Sequence, residues 1–118
     1  MIEPAYQYRA EITNVVDGDT VDAEVDLGFS AMLKMRLRLW GINAPEMRGA
    51  SAEAGREAKA RLRYLIETGG NVLTIKTHKD RQDKYGRYLA ELCIAGSPRT
   101  INQQMVDEGH AVPYMQDR

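Results

Sequence analysis

The chain has 118 residues, of which 43% are hydrophobic and 28% are charged, and its formal net charge is -1. This length suits a single domain over residues 1–118 with one buried core, and it excludes a second independent fold. The near-neutral charge excludes a protein that coats nucleic acid through many phosphate contacts. No apolar run is long enough to cross a membrane, so no membrane partner is expected.

The N-terminal residues 1–6 have no basic region followed by an apolar stretch, which a secretory signal would contain. We therefore expect an intracellular protein as the sequence is written, or a secreted one if a signal peptide has been removed. The single cysteine, Cys93, lies in an apolar run and has no partner for a disulfide within the chain. It is expected to be a small buried residue.

The first part of the chain predicts three antiparallel strands. Residues 7–16 and 20–27 flank an Asp-Gly turn, which is typical of a hairpin. The second of these segments alternates apolar and acidic residues, and its acidic side chains are expected on a solvated face. Residues 33–39 alternate apolar and basic residues, which predicts a third strand with an apolar inner face and a cationic outer face.

A helix, two further strands and a short helix follow. Apolar residues at helical spacing predict a helix from Ser51 to Glu67, and two glycines follow it as a stop signal. Residues 71–77 and 88–94 are predicted strands, joined by a long polar loop over residues 78–86. A capping-box pattern at Thr100 predicts a short helix that ends near Gly109.

This order of elements predicts a mainly β protein with helices, of the α+β class. Five strands with a helix between the third and fourth, and a short C-terminal helix, resemble a closed barrel of the oligonucleotide-binding type, the OB-fold. Closure is expected because it leaves no exposed strand edge.

Four charged residues provide the groups needed to cut a phosphodiester: Asp19, Arg38, Glu46 and Arg87. Carboxylate oxygens hold a hard divalent cation, a second carboxylate can orient or deprotonate water, and guanidinium groups neutralise charge on a phosphoryl group. Each residue also has an ordinary structural explanation, as a turn residue, a solvated base or a loop side chain.

Three motifs occur in order and at characteristic spacing: Asp-Gly-Asp-Thr at residues 17–20, Arg-Leu-Trp-Gly-Ile-Asn-Ala-Pro-Glu at residues 38–46, and Asp-Lys-Tyr-Gly-Arg at residues 83–87. Each alone is weakly specific. Together they resemble the staphylococcal nuclease (thermonuclease) family, over roughly residues 7–114. The resemblance implies an OB-fold barrel that hydrolyses DNA and RNA with calcium and leaves 3′-phosphate ends.

The resemblance also implies roles for individual residues. Asp19, the residue at position 43 and the backbone carbonyl of Ala44 correspond to ligands of one divalent cation, with calcium expected and magnesium or manganese as alternatives. Arg38 and Arg87 correspond to the arginines that bind the scissile phosphate. Glu46 corresponds to the residue that acts on the attacking water, as a general base or by positioning it.

Further family positions fall at Lys84 and Tyr85, which correspond to contacts with a terminal phosphate, and at Tyr114, which lies near the position of an active-site tyrosine. The chain departs from the family at Asn43, where an aspartate is usual. An amide oxygen can bind a cation but has no charge, so weaker metal binding is expected. The family also continues into another helix, and this sequence stops at Arg118.

An alternative function is a catalytically weak or dead OB-fold module that binds nucleic acid or a protein partner. The expected partner is DNA or RNA, and the expected assembly is a monomer or a weak homo-oligomer. Trp40 could stack on a base, although a place in the core or at the rim of the barrel is the simpler interpretation. His78 and His110 lie outside the matching motifs, and no catalytic role is assigned to them.

Overall fold

The computed structural model describes residues 4–115. In that part of the chain two α-helices, a short 3₁₀ helix (Gly49–Ser51) and seven strands occur. In chain order they are β1 (Gln7–Asp17), β2 (Thr20–Asp26), β3 (Met32–Leu39), β4 (Ile42–Asn43), α1 (Ala52–Thr68), β5 (Val72–Gln82), β6 (Tyr88–Cys93), α2 (Ile101–Asp107) and β7 (Val112–Pro113).

Five of the strands form a closed barrel in the order β1-β2-β3-β6-β5. The neighbours pair antiparallel except β3 and β6, which pair in parallel and place Arg38 opposite Leu89. Strand β5 returns to β1 and completes the barrel. The predicted five-stranded barrel, the helix between its third and fourth strands and the short C-terminal helix are therefore confirmed.

Alternating residues of the strands fill the barrel with aliphatic side chains, as the period of a strand requires. Leu37 and Leu39 of β3 are fully buried, and Arg38 between them is buried as well, whereas Leu33 near the start of the strand is exposed. The predicted apolar inner face and cationic outer face of β3 are therefore found only in part. Helix α1 packs against β1 and α2 through the apolar face that its spacing predicted. The buried residues of this face are Gly55, Ala58, Leu62, Leu65 and Ile66.

Both helices begin and end close to their predicted limits. Thr100 is the N-cap of α2, and its hydroxyl accepts a hydrogen bond from the backbone N–H of Gln103 at 3.0 Å. Neither helix reaches the combination of length and apolarity that a bilayer crossing requires, and the same holds for all helical structure within residues 4–115.

Strand β5 is longer than predicted, because it continues through residues 78–82, which the sequence pattern assigned to a loop. The extension is bulged: Thr77 lies opposite Ala90, and the next paired residue, Gln82, lies opposite Tyr88. Two residues of the bulge, Lys79 and Asp80, have left-handed φ angles of 57° and 54°. Each such conformation costs on the order of 1 kcal/mol outside glycine, so the surroundings must hold it in place.

Asp80 holds this bulge by hydrogen bonds. Its carboxylate accepts from the hydroxyl of Tyr8 at 2.8 Å and from the hydroxyl of Thr77. Its backbone N–H donates to the Thr77 hydroxyl at 3.1 Å. The hydrogen bond from Tyr8 to Asp80 is also the main reason why the pKa of Tyr8 rises to about 12. The polar bulge is therefore a fixed part of the barrel wall.

Three further details differ from the sequence interpretation. Strands β4 and β7 form a small sheet that was not predicted, because two residues are too few to show a period. Cys93 is only half-buried rather than fully buried, and this burial raises the pKa of its thiol. The acidic face of β2 is half-buried rather than fully solvated, and Asp22 forms an ion pair with Arg36 at 2.7 Å.

Candidate active site

The turn between β1 and β2 lies close against the loop that follows β4 and against α1. A Cβ atom on Gly18 would lie 2.7 Å from the Cβ atoms of both Ala44 and Ala58. Only glycine therefore allows this approach. The contact carries the next residue, Asp19, into a position where it is only 7% exposed.

Asp19 is hydrogen-bonded on both carboxylate oxygens. Its Oδ2 accepts from the backbone N–H of Ala44 at 2.8 Å, and its Oδ1 accepts from the hydroxyl of Thr20 at 3.0 Å. Burial, followed by the neighbouring Asp17 carboxyl, raises the pKa of Asp19 to about 6, and the Ala44 N–H and Arg38 only partly oppose this effect. Because burial disfavours the charged form of this carboxylate, any further cation placed beside it would stabilise that charged form.

Arg38 lies between two of the residues that the resemblance implies as metal ligands. Its Nη1 is 3.2 Å from Oδ2 of Asp19, and its Nη2 donates to Oδ1 of Asn43 at 3.2 Å. The guanidinium also donates to the backbone carbonyls of Asp19 and Leu39. Arg38 is only 7% exposed, so these contacts fix its orientation.

The structure thus brings Asp19, Arg38, Asn43 and Ala44 together. The oxygens that they present are one carboxylate, one side-chain amide and a backbone carbonyl, which are ligand types for a hard divalent cation such as Ca²⁺ or Mg²⁺. The set fits such a cation in chemistry but carries one formal negative charge. Among residues 4–115, no group of three or more acidic, histidine or cysteine side chains gathers at one point.

Glu46 is positioned by the beginning of α1. The hydroxyl of Ser51 donates to the backbone carbonyl of Glu46 at 2.9 Å. A Cβ on Gly55 would lie only 2.4 Å from the same carbonyl oxygen. The side chain of Glu46 itself is exposed to solvent. Helix α1 therefore fixes the backbone of this residue and leaves its carboxylate accessible.

Arg87 lies in the connection between β5 and β6 and is held by Asp83. Its Nε donates to Oδ2 of Asp83 at 2.7 Å, and its backbone N–H donates to Oδ1 at 3.0 Å. Burial alone would raise the pKa of Asp83, but the backbone N–H groups of Arg87 and Tyr85 and the guanidinium hold it below its ordinary value. In the described part of the chain, no hydrogen bond or ion pair joins Arg87 to Asp19, Arg38 or Glu46.

Two aromatic rings extend the charged surface. The ring of Tyr85, which is mostly exposed, lies 5.2 Å from the guanidinium carbon of Arg87 and 5.3 Å from Nζ of Lys84. The ring of Tyr114 lies 5.9 Å from the guanidinium carbon of Arg38, and the Tyr114 N–H donates to the Gly41 carbonyl at 2.8 Å. Both arginines therefore have an aromatic neighbour.

Several residues that shape the site were not singled out from the sequence. Gly55 and Ser51 position Glu46, and Asp83 positions Arg87. Asn102, which is 4% exposed, donates to the carbonyls of Trp40 and Ala90 and accepts from the N–H of Leu92. A glycine inside a helical pattern is a recognisable signal of close packing, so Gly55 could have been found. Asn102 gives no such signal, because one asparagine in a capping pattern is ordinary.

Comparison with known proteins places this geometry in a family. The model of the family described as "Staphylococcal nuclease homologue" matches residues 36–118, which include Arg38, Asn43, Glu46 and Arg87 and leave Asp19 outside. The match covers the second half of β3, all of β5 and β6, both helices and the loops that carry Glu46 and Arg87.

Two curated relatives align with almost the whole chain. Protein ParB of Escherichia coli is 33% identical over 119 residues, which cover 94% of this chain and 60% of that protein. The uncharacterized protein MJ1439 of Methanocaldococcus jannaschii is 26% identical over 129 residues, which cover 92% of this chain and 60% of that protein. The chain therefore spans about 60% of the length of these relatives. Because the family model matches more than half of the chain and the chain folds as a closed five-stranded barrel, this chain belongs to the staphylococcal nuclease homologue family.

Proposed function

We propose that this domain is a divalent-metal-dependent nuclease that hydrolyses phosphodiester bonds of DNA or RNA and leaves 3′-phosphate ends. The observation that carries the proposal is the buried pair of Asp19 and Arg38, 3.2 Å apart, with Asn43 bonded to the same guanidinium. The carboxylate can bind a cation and the guanidinium beside it can bind a phosphate, so the two ligands would lie next to each other.

The metal would be held by Asp19, Asn43 and the carbonyl of Ala44. Calcium is the first candidate, and magnesium or manganese are the alternatives. When bound, such a cation would polarise a phosphoryl oxygen and offset its charge. Asn43 is exposed, so this set of oxygens is open to solvent on one side.

The two arginines would bind the scissile phosphate. Each has a planar guanidinium that can donate two parallel hydrogen bonds to phosphate oxygens. In the structure each of them forms an ion pair with a carboxylate instead, Arg38 with Asp19 and Arg87 with Asp83. A phosphate would take over donors that are already oriented, which is the condition for stabilising charge that develops in a transition state.

Glu46 would act on the attacking water, by accepting its proton or by orienting it. Its backbone is fixed by Ser51 and Gly55, whereas its carboxylate is exposed and free to meet substrate. Lys84 and Tyr85 would contact a terminal phosphate from the exposed side of the β5–β6 connection.

The test is cleavage of denatured DNA and of RNA, each with calcium, magnesium, manganese or a chelator. We expect metal-dependent cutting that Glu46→Ala loses, and this variant also controls for a contaminating nuclease. Arg87→Lys keeps the charge but removes the planar donor pair, so turnover should fall on the order of 100-fold with unchanged thermal stability. Wild-type turnover in Arg87→Lys would contradict the phosphate-binding role.

A second candidate is a module of the same fold that binds nucleic acid, or a protein partner, without cutting. One observation favours it: Asn43 has no charge, and Arg38 already offsets the single carboxylate of the predicted ligand set. Absence of cutting with every metal, in a protein that still binds an oligonucleotide, would decide for this candidate.

A further inference from the structure

A cleft of about 170 Å³ opens on the outer wall of the barrel beside the candidate active site. This volume is many times the space that one water molecule needs. Two aromatic rings form one wall: Trp40 and His78 are stacked with ring centroids 3.8 Å apart and an angle of 25° between planes. The residues that line the cleft are Trp40, His78, Lys79, Arg81, Gln82 and Leu89.

The bulge in β5 builds the basic rim of this cleft. Because Asp80 is bonded to Tyr8 and Thr77, its neighbours Lys79 and Arg81 are left exposed at the cleft. Neither Lys79 nor Arg81 forms an ion pair within residues 4–115. The carboxylate of Asp80, which lies between these two cations in the chain, is bonded to Tyr8 and Thr77, and that of Glu91 lies 3.2 Å from Nε2 of His78, a contact that also holds the imidazole ring. The rim therefore has two cations available to an anion.

The cleft adjoins the residues proposed to bind phosphate. Its floor is Leu89, which lies opposite Arg38 in the parallel ladder of β3 and β6. Trp40 follows Arg38 by two residues, directly after the end of β3, so their Cα atoms lie at most about 7 Å apart. Its N–H donates to the Ala90 carbonyl at 2.8 Å. A base attached to a phosphate at Arg38 would therefore be within reach of the aromatic wall.

We propose that this cleft is a subsite for one base of single-stranded nucleic acid, which stacks on the Trp40–His78 pair while Lys79 and Arg81 contact the neighbouring phosphate. Stacking on aromatic side chains tolerates every base, because each base has a π face. A base within a duplex has both faces covered, so the subsite selects unpaired strands. The inference rests on the proposed function in one respect, that nucleic acid is the ligand.

Trp40 is the only tryptophan of the chain, so the intrinsic tryptophan fluorescence of the protein reports on this cleft directly. The probes are a thymidine hexanucleotide, a hexamer of the same backbone without bases, and a blunt duplex, all titrated in EDTA so that nothing is cut. We expect saturable quenching by the thymidine hexamer alone. The double variant Lys79→Gln/Arg81→Gln should raise the half-saturating concentration about tenfold, because two phosphate contacts are lost.

The matched control is Lys34→Gln/Arg63→Gln, which removes two exposed cations elsewhere and should leave the titration unchanged. Binding is measured in parallel by the anisotropy of a labelled hexamer. Binding without a change in Trp40 fluorescence, equal quenching by the base-free hexamer, or no binding at all would each overturn the subsite. If quenching is absent but metal-dependent cutting persists, the subsite alone fails; if quenching occurs in a protein that does not cut, only the nuclease proposal fails.

Discussion

The backbone of Glu46 packs so closely on Gly55 of α1 that one added methyl group is expected to have a large effect. In Gly55→Ala, the new Cβ would lie 2.4 Å from the carbonyl oxygen of Glu46 and 2.7 Å from its carbonyl carbon. Both contacts are to backbone, so neither can be relieved by turning a side chain. The loop that carries Glu46 must move away from α1.

The size of this movement follows from ordinary contact distances. Van der Waals contact of a Cβ begins at 3.4 Å, so the Glu46 backbone must shift by about 1 Å. A misplacement of that size costs on the order of 100-fold in rate when the residue acts on the reacting atoms. Stability should change less, because alanine favours the helix by about 1 kcal/mol and overpacking costs about 1–3 kcal/mol.

The assay compares turnover on denatured DNA with the midpoint of thermal unfolding. Gly69→Ala is the matched control, since its Cβ would meet neighbours at 3.5 Å and beyond, and its φ of -90° suits alanine. We expect Gly55→Ala to lose about 99% of turnover and Gly69→Ala to keep it. Wild-type turnover in folded Gly55→Ala would refute the view that the position of Glu46 matters to the chemistry.

Three further predictions concern stability, metal and pH. Asn102→Ala leaves the N–H of Leu92 and the carbonyl of Trp40 without their side-chain partner, and the Ala90 carbonyl with only the Trp40 N–H. The unfolding free energy in urea should therefore fall by about 2 kcal/mol or more, whereas exposed Asn14→Ala should stay within about 0.5 kcal/mol; equal effects would contradict this. Asn43→Asp adds a charged ligand, so the calcium concentration for half-maximal cleavage should fall about tenfold, and an unchanged value would count against Asn43 as a ligand. The hydrogen bond from Arg61 lowers the pKa of Glu108 from 4.5 to about 2. The stabilisation that this pair gives the fold is therefore complete above pH 4.5 and is lost as the pH falls towards 2. The acid-unfolding curve of Glu108→Gln should lack this loss of stability, and a curve identical to that of the wild type would contradict the prediction.

The barrel was predictable from sequence because strands such as β2 alternate apolar and polar residues. Alternation over residues 20–26 shows which side chains enter the core, and the helical spacing of α1 ends at a glycine pair. Over residues 33–39 the alternation is a poorer guide, since Leu33 is exposed and Arg38 is buried. These signals arise from burial of apolar groups, which dominates the sequence pattern of a small domain. The extension of β5 over residues 78–82 lacked this signal, since its side chains are polar and its pairing with β6 is interrupted by a bulge.

The sequence proposes which residues belong to the site, but it does not predict the contacts between them. The resemblance named Asp19, Arg38, Asn43 and Glu46, and the structure brings the first three into one hydrogen-bonded group. That Arg38 bonds to both Asp19 and Asn43 could not be read from spacing, because it depends on how three separate segments meet. The same holds for the Trp40–His78 stack, whose two residues come from opposite sides of the barrel seam.

The parallel seam between β3 and β6 has a consequence for folding. Leu37 pairs with Tyr88, so closing the barrel joins segments that are about fifty positions apart and pays a correspondingly larger loop entropy than the hairpins do. The three-stranded meander can form locally, whereas the seam depends on α1 and β5 being in place. Because Arg38, Leu89 and Trp40 all lie along this seam, we expect the site to form only after the local meander, once this long-range pairing is made.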